Sequence, residues 1–215
     1  MLNKKDYLLV AIVGFFFGLL LLPVLNNIKV AFLPVNLING IAIIIFFTIV
    51  AVVALWIMGI IAKKIFVMLE IAKFAAVGGL NTLLDLGVLN LLISIFAIAS
   101  GAGYAVFKGI SFIVSNVNSY FWNKYWTFGS NENATVKEFG QFLIVSVIGF
   151  IINISVASIV VNVIKPLNGM SPARWANVGA LVATLTAFVW NFIGYKFIVF
   201  VKKKSLPEKP QTQAI

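Results

Sequence analysis

The chain has 215 residues, of which 62% are hydrophobic and only 10% are charged. This composition excludes an ordinary soluble domain, and the continuous apolar runs exclude the alternating strands of a membrane barrel, so we predict an all-α polytopic membrane protein. The formal net charge of +10 then indicates lysines that face anionic lipid headgroups rather than nucleic acid. The chain has no cysteine or histidine, which excludes disulfides and argues against metal sites and cofactors.

Residues 1–65 predict a hairpin of two membrane spans. A short basic lead-in precedes an apolar run over 7–25, and a second run without charges follows over 37–62. Each run is long enough to cross a hydrocarbon core. The first run lacks the small-residue cleavage site of a signal peptide, so we interpret it as a span.

Residues 66–201 predict a core of four further spans, which makes six in all. Residues 65–73 mix apolar and charged side chains and are expected to form an interfacial amphipathic helix. The flexible cluster at 100–103 divides a long apolar run into two helices. The four spans are predicted at about 71–98, 104–123, 141–164 and 176–201. Residues 202–215 are expected to be a basic, disordered tail.

The distribution of basic residues predicts the orientation of the spans. With both termini inside, the outer side keeps only four basic residues, which are Lys29, Lys108, Lys165 and Arg174. The large excess on the other side favours an N-in, C-in arrangement in the cytoplasmic membrane.

We interpret the four core spans as an internal repeat of two spans. When 70–86 is aligned with 138–154, Glu70 meets Glu138 and Asp85 meets Asn153. At the far ends of the copies Lys124 meets Lys196. A repeat of two spans keeps its orientation, so we expect the copies to be related by an axis near the membrane normal.

Two motifs of this core are those of a known family. FAAVGGLNTLLDLGVLNLL occupies 74–92, and NSYFWNKYWTF occupies 118–128. On these motifs the chain resembles the GtrA-like family of small four-span membrane proteins over about 66–201. The family usually has arginine at the position of Lys124, so the charge is kept but a bidentate phosphate contact is weakened.

The resemblance implies that the protein handles a polyprenyl-phosphate-linked sugar. The residues themselves argue against an enzyme, because the chain has no histidine, no cysteine and no paired carboxylates in one reachable site. Family members are proposed to flip lipids such as undecaprenyl-phosphate-glucose across the cytoplasmic membrane for polysaccharide or teichoic acid glycosylation. Two alternatives stay open: a non-catalytic membrane partner that presents the lipid acceptor to a glycosyltransferase, and a small-molecule exporter that uses Asp85. Homodimerisation also stays open.

Polar residues inside the predicted spans are the candidates for the headgroup path. Asp85 is the only acidic residue deep in a span, so it marks either a function or a pair inside the bundle. Counting depth along the helices predicts Asn116 as its partner and places Lys108 too high. The amides either bind helices together or line a groove for sugar hydroxyls. The candidate path comprises Asp85, Asn81, Asn116, Asn118, Asn123, Asn153 and Asn191.

Basic and aromatic residues cluster at the predicted inner boundary of the membrane. The lysines either anchor the topology or bind the phosphate, and the phosphate candidates are Lys124, Lys196 and Lys73. The indole rings either belong to the interfacial aromatic belt or stack against the sugar. The stacking candidates are Trp122, Trp126 and Trp190.

Overall fold

The computed structural model describes residues 2–28, 34–98, 100–164, 166 and 170–201, and this part of the chain is helical without strands. Its six α-helices are α1 (Lys4–Ile28), α2 (Leu37–Ile61), α3 (Val67–Phe96), α4 (Gly101–Trp122), α5 (Val136–Asn162) and α6 (Pro172–Gly194). Two π-helical segments, Asn123–Thr127 and Tyr195–Val199, extend α4 and α6. Five of the described helices are long and apolar enough to cross a membrane, and α4 is not among them. Its three serines, two asparagines and Lys108 lower its apolar character.

The helices alternate in direction, and their charged ends meet at one end of the bundle. Three ion pairs join the starts of α1, α3 and α5 to one another or to the π segments that follow α4 and α6. The end of α2 reaches the same place, because Gly59 lies against Leu2. We call this the basic end.

Helices α1 and α2 pack through backbone contact at two glycines of α1. A Cβ atom at Gly14 would lie 2.7 Å from the carbonyl oxygen of Phe47, and one at Gly18 would lie 2.7 Å from the Cα of Ile44. Glycines four residues apart share one face of a helix and allow close approach within a membrane. The N-terminal hairpin is therefore held by main-chain proximity.

Two buried clusters hold the hairpins together near the basic end. The cluster between α3–α4 and α5–α6 is mostly aromatic: the ring centroids of Phe74 and Phe188 are 4.8 Å apart, and those of Phe128 and Phe200 are 5.6 Å apart. The second cluster packs α1 and α2 against α3 and includes Val10, which is 1% exposed. Aromatic pairs of this kind contribute about 1 kcal/mol beyond the area that they bury.

Most predicted helix positions agree with the described helices, with two corrections. Residues 67–73 are the first turns of α3, so the interfacial helix predicted over 65–73 does not exist as a separate element. Helix α1 continues through Pro23 to Ile28 rather than ending at 25. The predicted tail 202–215, together with Lys29 and Lys165, lies outside the described residues.

Candidate functional site

The two π-helical segments occupy equivalent positions in the two core hairpins. Each is closed by a backbone hydrogen bond across five residues: the N–H of Phe128 donates to the carbonyl of Asn123 at 2.9 Å, and the N–H of Phe200 donates to that of Tyr195 at 2.8 Å. Positions 123 and 195 are 72 residues apart, as are the aligned lysines at 124 and 196. Short π segments are rare and are frequently found at functional sites. Their duplication is consistent with the internal repeat.

The lysine of each π segment pairs with a glutamate at the start of the other core hairpin. Lys124 Nζ lies 2.7 Å from Glu138 Oε1 and 2.9 Å from its Oε2. Lys196 pairs with Glu70. Since Glu70 and Glu138 are also aligned in the predicted repeat, the two hairpins exchange ion pairs between aligned positions, which is consistent with the predicted axis. We call these two contacts the crossed ion pairs.

Lys124 is completely buried by this arrangement. Its side chain is 0% exposed, whereas that of Lys196 is 26% exposed. The hydroxyl of Tyr120 donates to the same glutamate oxygen that Lys124 contacts, and the ring of Phe200 lies 6.0 Å from the ammonium. A buried ammonium requires such compensation, because desolvation of a lone charge costs several kcal/mol. In this arrangement Lys124 binds a carboxylate and is closed to solvent.

Lys73, the third predicted phosphate ligand, binds the N-terminal hairpin to the core. It pairs with Asp6 of α1, and Trp126 Nε1 donates to the same carboxylate oxygen at 3.1 Å. The ammonium also lies 5.5 Å from the centre of the Trp126 ring. All three predicted phosphate ligands therefore contact carboxylates, and their role with phosphate stays a prediction.

The three predicted stacking tryptophans have different surroundings. Trp126 is buried in the contact with Asp6, and Trp190 Nε1 donates to the carbonyl of Val145 at 3.0 Å. Trp122 packs edge-to-face on Trp126 and lines an open cavity of about 250 Å³ with Lys5 and Tyr125. Trp126 lines the same cavity, whereas Trp190 is not part of its lining.

Asp85 pairs with Lys108 across the interface of α3 and α4. Ser111 also donates to Asp85 Oδ1 at 2.6 Å. The side chains of Asp85 and Lys108 are 22% and 42% exposed, so the pair is partly open at the surface of the bundle.

The predicted pairing of Asp85 with Asn116 is wrong. Asn116 Nδ2 donates instead to the carbonyl of Phe112 in its own helix at 2.8 Å. Counted from the α3–α4 connection, Lys108 and Asp85 differ in depth by about 6 Å. The lysine side chain is long enough to cover that distance, because it extends beyond the helical rise of its own Cα.

A second polar contact lies one turn closer to the basic end. Asn118 Nδ2 of α4 donates to Asn81 Oδ1 of α3 at 2.7 Å. We call this line of contacts the α3–α4 seam, which comprises Asp85, Lys108, Ser111, Asn81 and Asn118.

The remaining predicted path residues lie away from the seam. Asn123 Nδ2 donates to the carbonyl of Ser119 at 2.9 Å within its own chain segment. Asn153 and Asn191 belong to the second core hairpin, where Asn191 Oδ1 is buried against Gly149 without a hydrogen-bond partner among the described residues. The structure therefore divides the predicted amides between two hairpins instead of gathering them in one groove. No group of three metal-binding side chains occurs in the described part of the chain.

Several partners of these residues were missed from the sequence. They are Asp6, Glu70, Lys108, Ser111, Tyr120 and Glu138. A signal for the crossed ion pairs was present, because the repeat aligned the two glutamates and the two lysines. No comparable signal marked Asp6, whose partner is 67 residues away along the chain.

Comparison with known proteins finds a family match that covers the α3–α4 seam and the π segments. The family described as GtrA/DPMS, transmembrane domain, matches residues 73–200, which include the α3–α4 seam and both π segments. An uncharacterized membrane protein of Bacillus subtilis (strain 168), YngA, is 32% identical over 130 residues, which are 60% of this chain and 78% of that protein. No solved structure matches the chain significantly.

Proposed function

Because the chain belongs to the GtrA/DPMS transmembrane-domain family, we propose that it moves a polyprenyl-phosphate-linked sugar across the cytoplasmic membrane. Undecaprenyl-phosphate-glucose is such a lipid, and its sugar would serve the glycosylation of a cell-wall polysaccharide or teichoic acid. The proposal includes six spans with the basic end in the cytoplasm, as the excess of lysines there favours. It requires binding and movement of a headgroup and no covalent chemistry.

The observation that carries the proposal is the partly exposed ion pair of Asp85 and Lys108. Charged groups within hydrocarbon are costly, and they usually face a bundle interior or a substrate path. Lys108 lies about 10 Å from the start of α4 and still keeps 42% of its side chain exposed. A lipid headgroup can offer this pair what acyl chains cannot, which is a phosphate for the ammonium and hydroxyls for the carboxylate.

The rest of the seam supplies a continuation of this path. Asn81 and Asn118 lie between the ion pair and the basic end, and each is only partly buried. Amides provide both donors and acceptors for sugar hydroxyls. The headgroup would follow these side chains while the prenyl tail stays in lipid, which avoids the cost of placing bare hydroxyls in hydrocarbon.

Phosphate binding at the basic end would require exchange of ion-pair partners. Each candidate lysine, Lys73, Lys124 or Lys196, would leave its carboxylate and take a phosphate instead. Lys196 is the most exposed of the three, at 26%, so it is the first that an arriving phosphate could reach. The cavity beside Trp122 and Lys5 is large enough for one sugar ring and lies at the same end.

Transport in liposomes tests the proposal directly. The purified protein would be reconstituted with radiolabelled polyprenyl-phosphate-glucose, and a membrane-impermeant probe would report the leaflet of the sugar. We expect protein-dependent equilibration that is lost in Asp85→Ala. The matched control is Thr186→Val, which removes an intramembrane hydroxyl bonded only to the carbonyl of Val182.

Two outcomes would contradict the proposal. Equal transport by Asp85→Ala and the control would remove the seam as the path. No acceleration over empty liposomes by folded protein would exclude translocation and favour a non-catalytic partner that presents a lipid acceptor to a glycosyltransferase.

A further inference from the structure

A cavity of about 620 Å³ lies at the basic end, between the start of α1, the end of α2 and the α2–α3 connection. Its lining includes Tyr7, Trp56, Gly59, Lys63, Lys64 and Phe66. These residues precede the region that matches the family, so family membership assigns no role to the cavity.

The charge of this cavity is not neutralised. The four ion pairs in the described part of the chain use other lysines, and the lining contains no acidic residue. Lys63 and Lys64 are both exposed and adjacent. The cavity therefore presents two ammonium groups that have no carboxylate partner within it.

The walls of the cavity have the composition of a membrane boundary. Trp56 is 53% exposed and Phe66 is 64% exposed, and aromatic rings favour the level of the lipid headgroups. A lipid surface that carries negative charge is the complement of rings and lysines arranged in this way.

An apolar groove of about 480 Å³ continues from this cavity along the bundle. It lies between α1, α2 and α3 and is lined by Phe17, Leu55, Met58, Ala72, Ala75 and Gly79, among other apolar residues. Met58 directly precedes Gly59 of the cavity, and Ala72 lies one turn beyond Leu69, which also lines the cavity. The charged cavity and the apolar groove are therefore adjacent, in the same order as the headgroup and the acyl chain of a lipid.

We propose that the N-terminal hairpin holds an anionic glycerophospholipid. Its phosphate lies between Lys63 and Lys64, its glycerol region lies beside Trp56, and one acyl chain fills the apolar groove. A zwitterionic headgroup fits less well, because its ammonium meets no acidic side chain in the lining. Basic pockets beside transmembrane helices bind anionic headgroups in this manner.

The bound phospholipid is a resident component rather than the transported lipid. The groove lies on the α1–α2 side of α3, whereas the seam lies between α3 and α4. Helix α3 therefore separates the two, and the lipid stabilises the contact of the added hairpin with the core. This inference does not depend on transport.

Native mass spectrometry of the full chain, with equal amounts of phosphatidylglycerol and phosphatidylcholine, tests the proposal. We expect a strong preference for phosphatidylglycerol. Lys63→Gln/Lys64→Gln should lower binding of phosphatidylglycerol about tenfold or more, since each lysine near a membrane surface contributes roughly fivefold to the binding of anionic lipid. Binding of phosphatidylcholine should stay unchanged.

Two further variants separate the cavity from general surface charge. Lys4→Gln/Lys137→Gln removes two exposed lysines that line none of the described cavities, and it should change binding less than twofold. Gly59→Leu keeps both lysines but adds a side chain against Leu2, which also lines the cavity, so the two side chains together narrow the cavity and binding should also fall.

Three results would overturn the proposal. They are equal binding of the two phospholipids by the unaltered protein, an equal loss in the Lys4/Lys137 control, and a preference for undecaprenyl phosphate over phosphatidylglycerol at equal concentration. The last result would assign the groove to the carrier lipid.

Discussion

Lys124 lies completely buried with its ammonium 2.7 Å from Glu138 Oε1, where the first core hairpin meets the second. The equivalent lysine and glutamate, Lys196 and Glu70, make the reciprocal contact between the same hairpins. The two contacts lie beside the aromatic cluster of Phe74, Phe142 and Phe200, so charge pairing and ring packing hold the same junction. This junction positions α3 and α4, which carry the seam.

Removing one member of the buried pair should strongly destabilise the fold. Lys124→Met leaves the Glu138 carboxylate, whose side chain is only 15% exposed, without its cation, and the expected loss in free energy of unfolding is about 3 kcal/mol. Denaturant unfolding in bicelles measures it. Lys137→Met is the control, because Lys137 is an exposed lysine beside the same glutamate in sequence. Equal stability of the two variants would mean that the pair does not hold the junction.

Replacing both members should cost less than replacing one. The variant Lys124→Met/Glu138→Leu removes both charges and leaves apolar groups among the surrounding rings, so no uncompensated charge remains. We expect this double variant to regain about half of the stability that Lys124→Met loses. The double-mutant cycle gives the coupling energy. A double variant as unstable as the sum of the two single variants would contradict this account.

The reciprocal pair should contribute less to stability, although its residues are aligned with those of the first pair in the predicted repeat. The side chain of Lys196 is 26% exposed, so water screens the pair and hydrates the charge that remains after a substitution. Glu70→Gln should therefore cost about 1 kcal/mol, against several for Glu138→Gln. The same bicelle unfolding measures both variants. Equal costs would show that the difference in burial is energetically unimportant.

The two neighbouring asparagines of α4 should differ in their effects. Asn118→Ala removes the 2.7 Å hydrogen bond to Asn81, which is worth about 0.6 kcal/mol within a membrane. Asn116→Ala removes only a bond within the same helix, so its effect on stability should be smaller. In the liposome assay Asn118→Ala should also slow transport more than Asn116→Ala. The reverse order would restore Asn116 to the path.

Two glycines allow a test of helix packing with a matched control. Gly14→Ala places a Cβ atom 2.7 Å from the Phe47 carbonyl oxygen, so α1 and α2 must separate. A Cβ atom at Gly109 of α4 meets nothing within 4 Å, and Gly109→Ala should stabilise by up to about 1 kcal/mol through helix propensity. Thermal unfolding in detergent should therefore shift in opposite directions. A shift in the same direction would contradict the close contact of α1 and α2.

The amino-acid sequence by itself determined the membrane class, the positions of most helices and the family. The membrane class and the helix positions follow from apolar runs of sufficient length, which are local features of the chain. The family follows from the motif around Asn81 and Asp85, which is contiguous in the chain. It also placed equivalent glutamates and lysines at equivalent positions of the repeat, although it left their partners open.

Only the tertiary structure decided which charges meet. A residue-by-residue depth count chose Asn116 for Asp85, because such a count omits the length of a side chain and the offset between two helices. The contact between Asp6 and Lys73 depends on how α1 packs against α3, and no local pattern encodes that packing. Ion pairs inside the bundle form where separate helices bring desolvated charges together, so their partners follow from the three-dimensional arrangement.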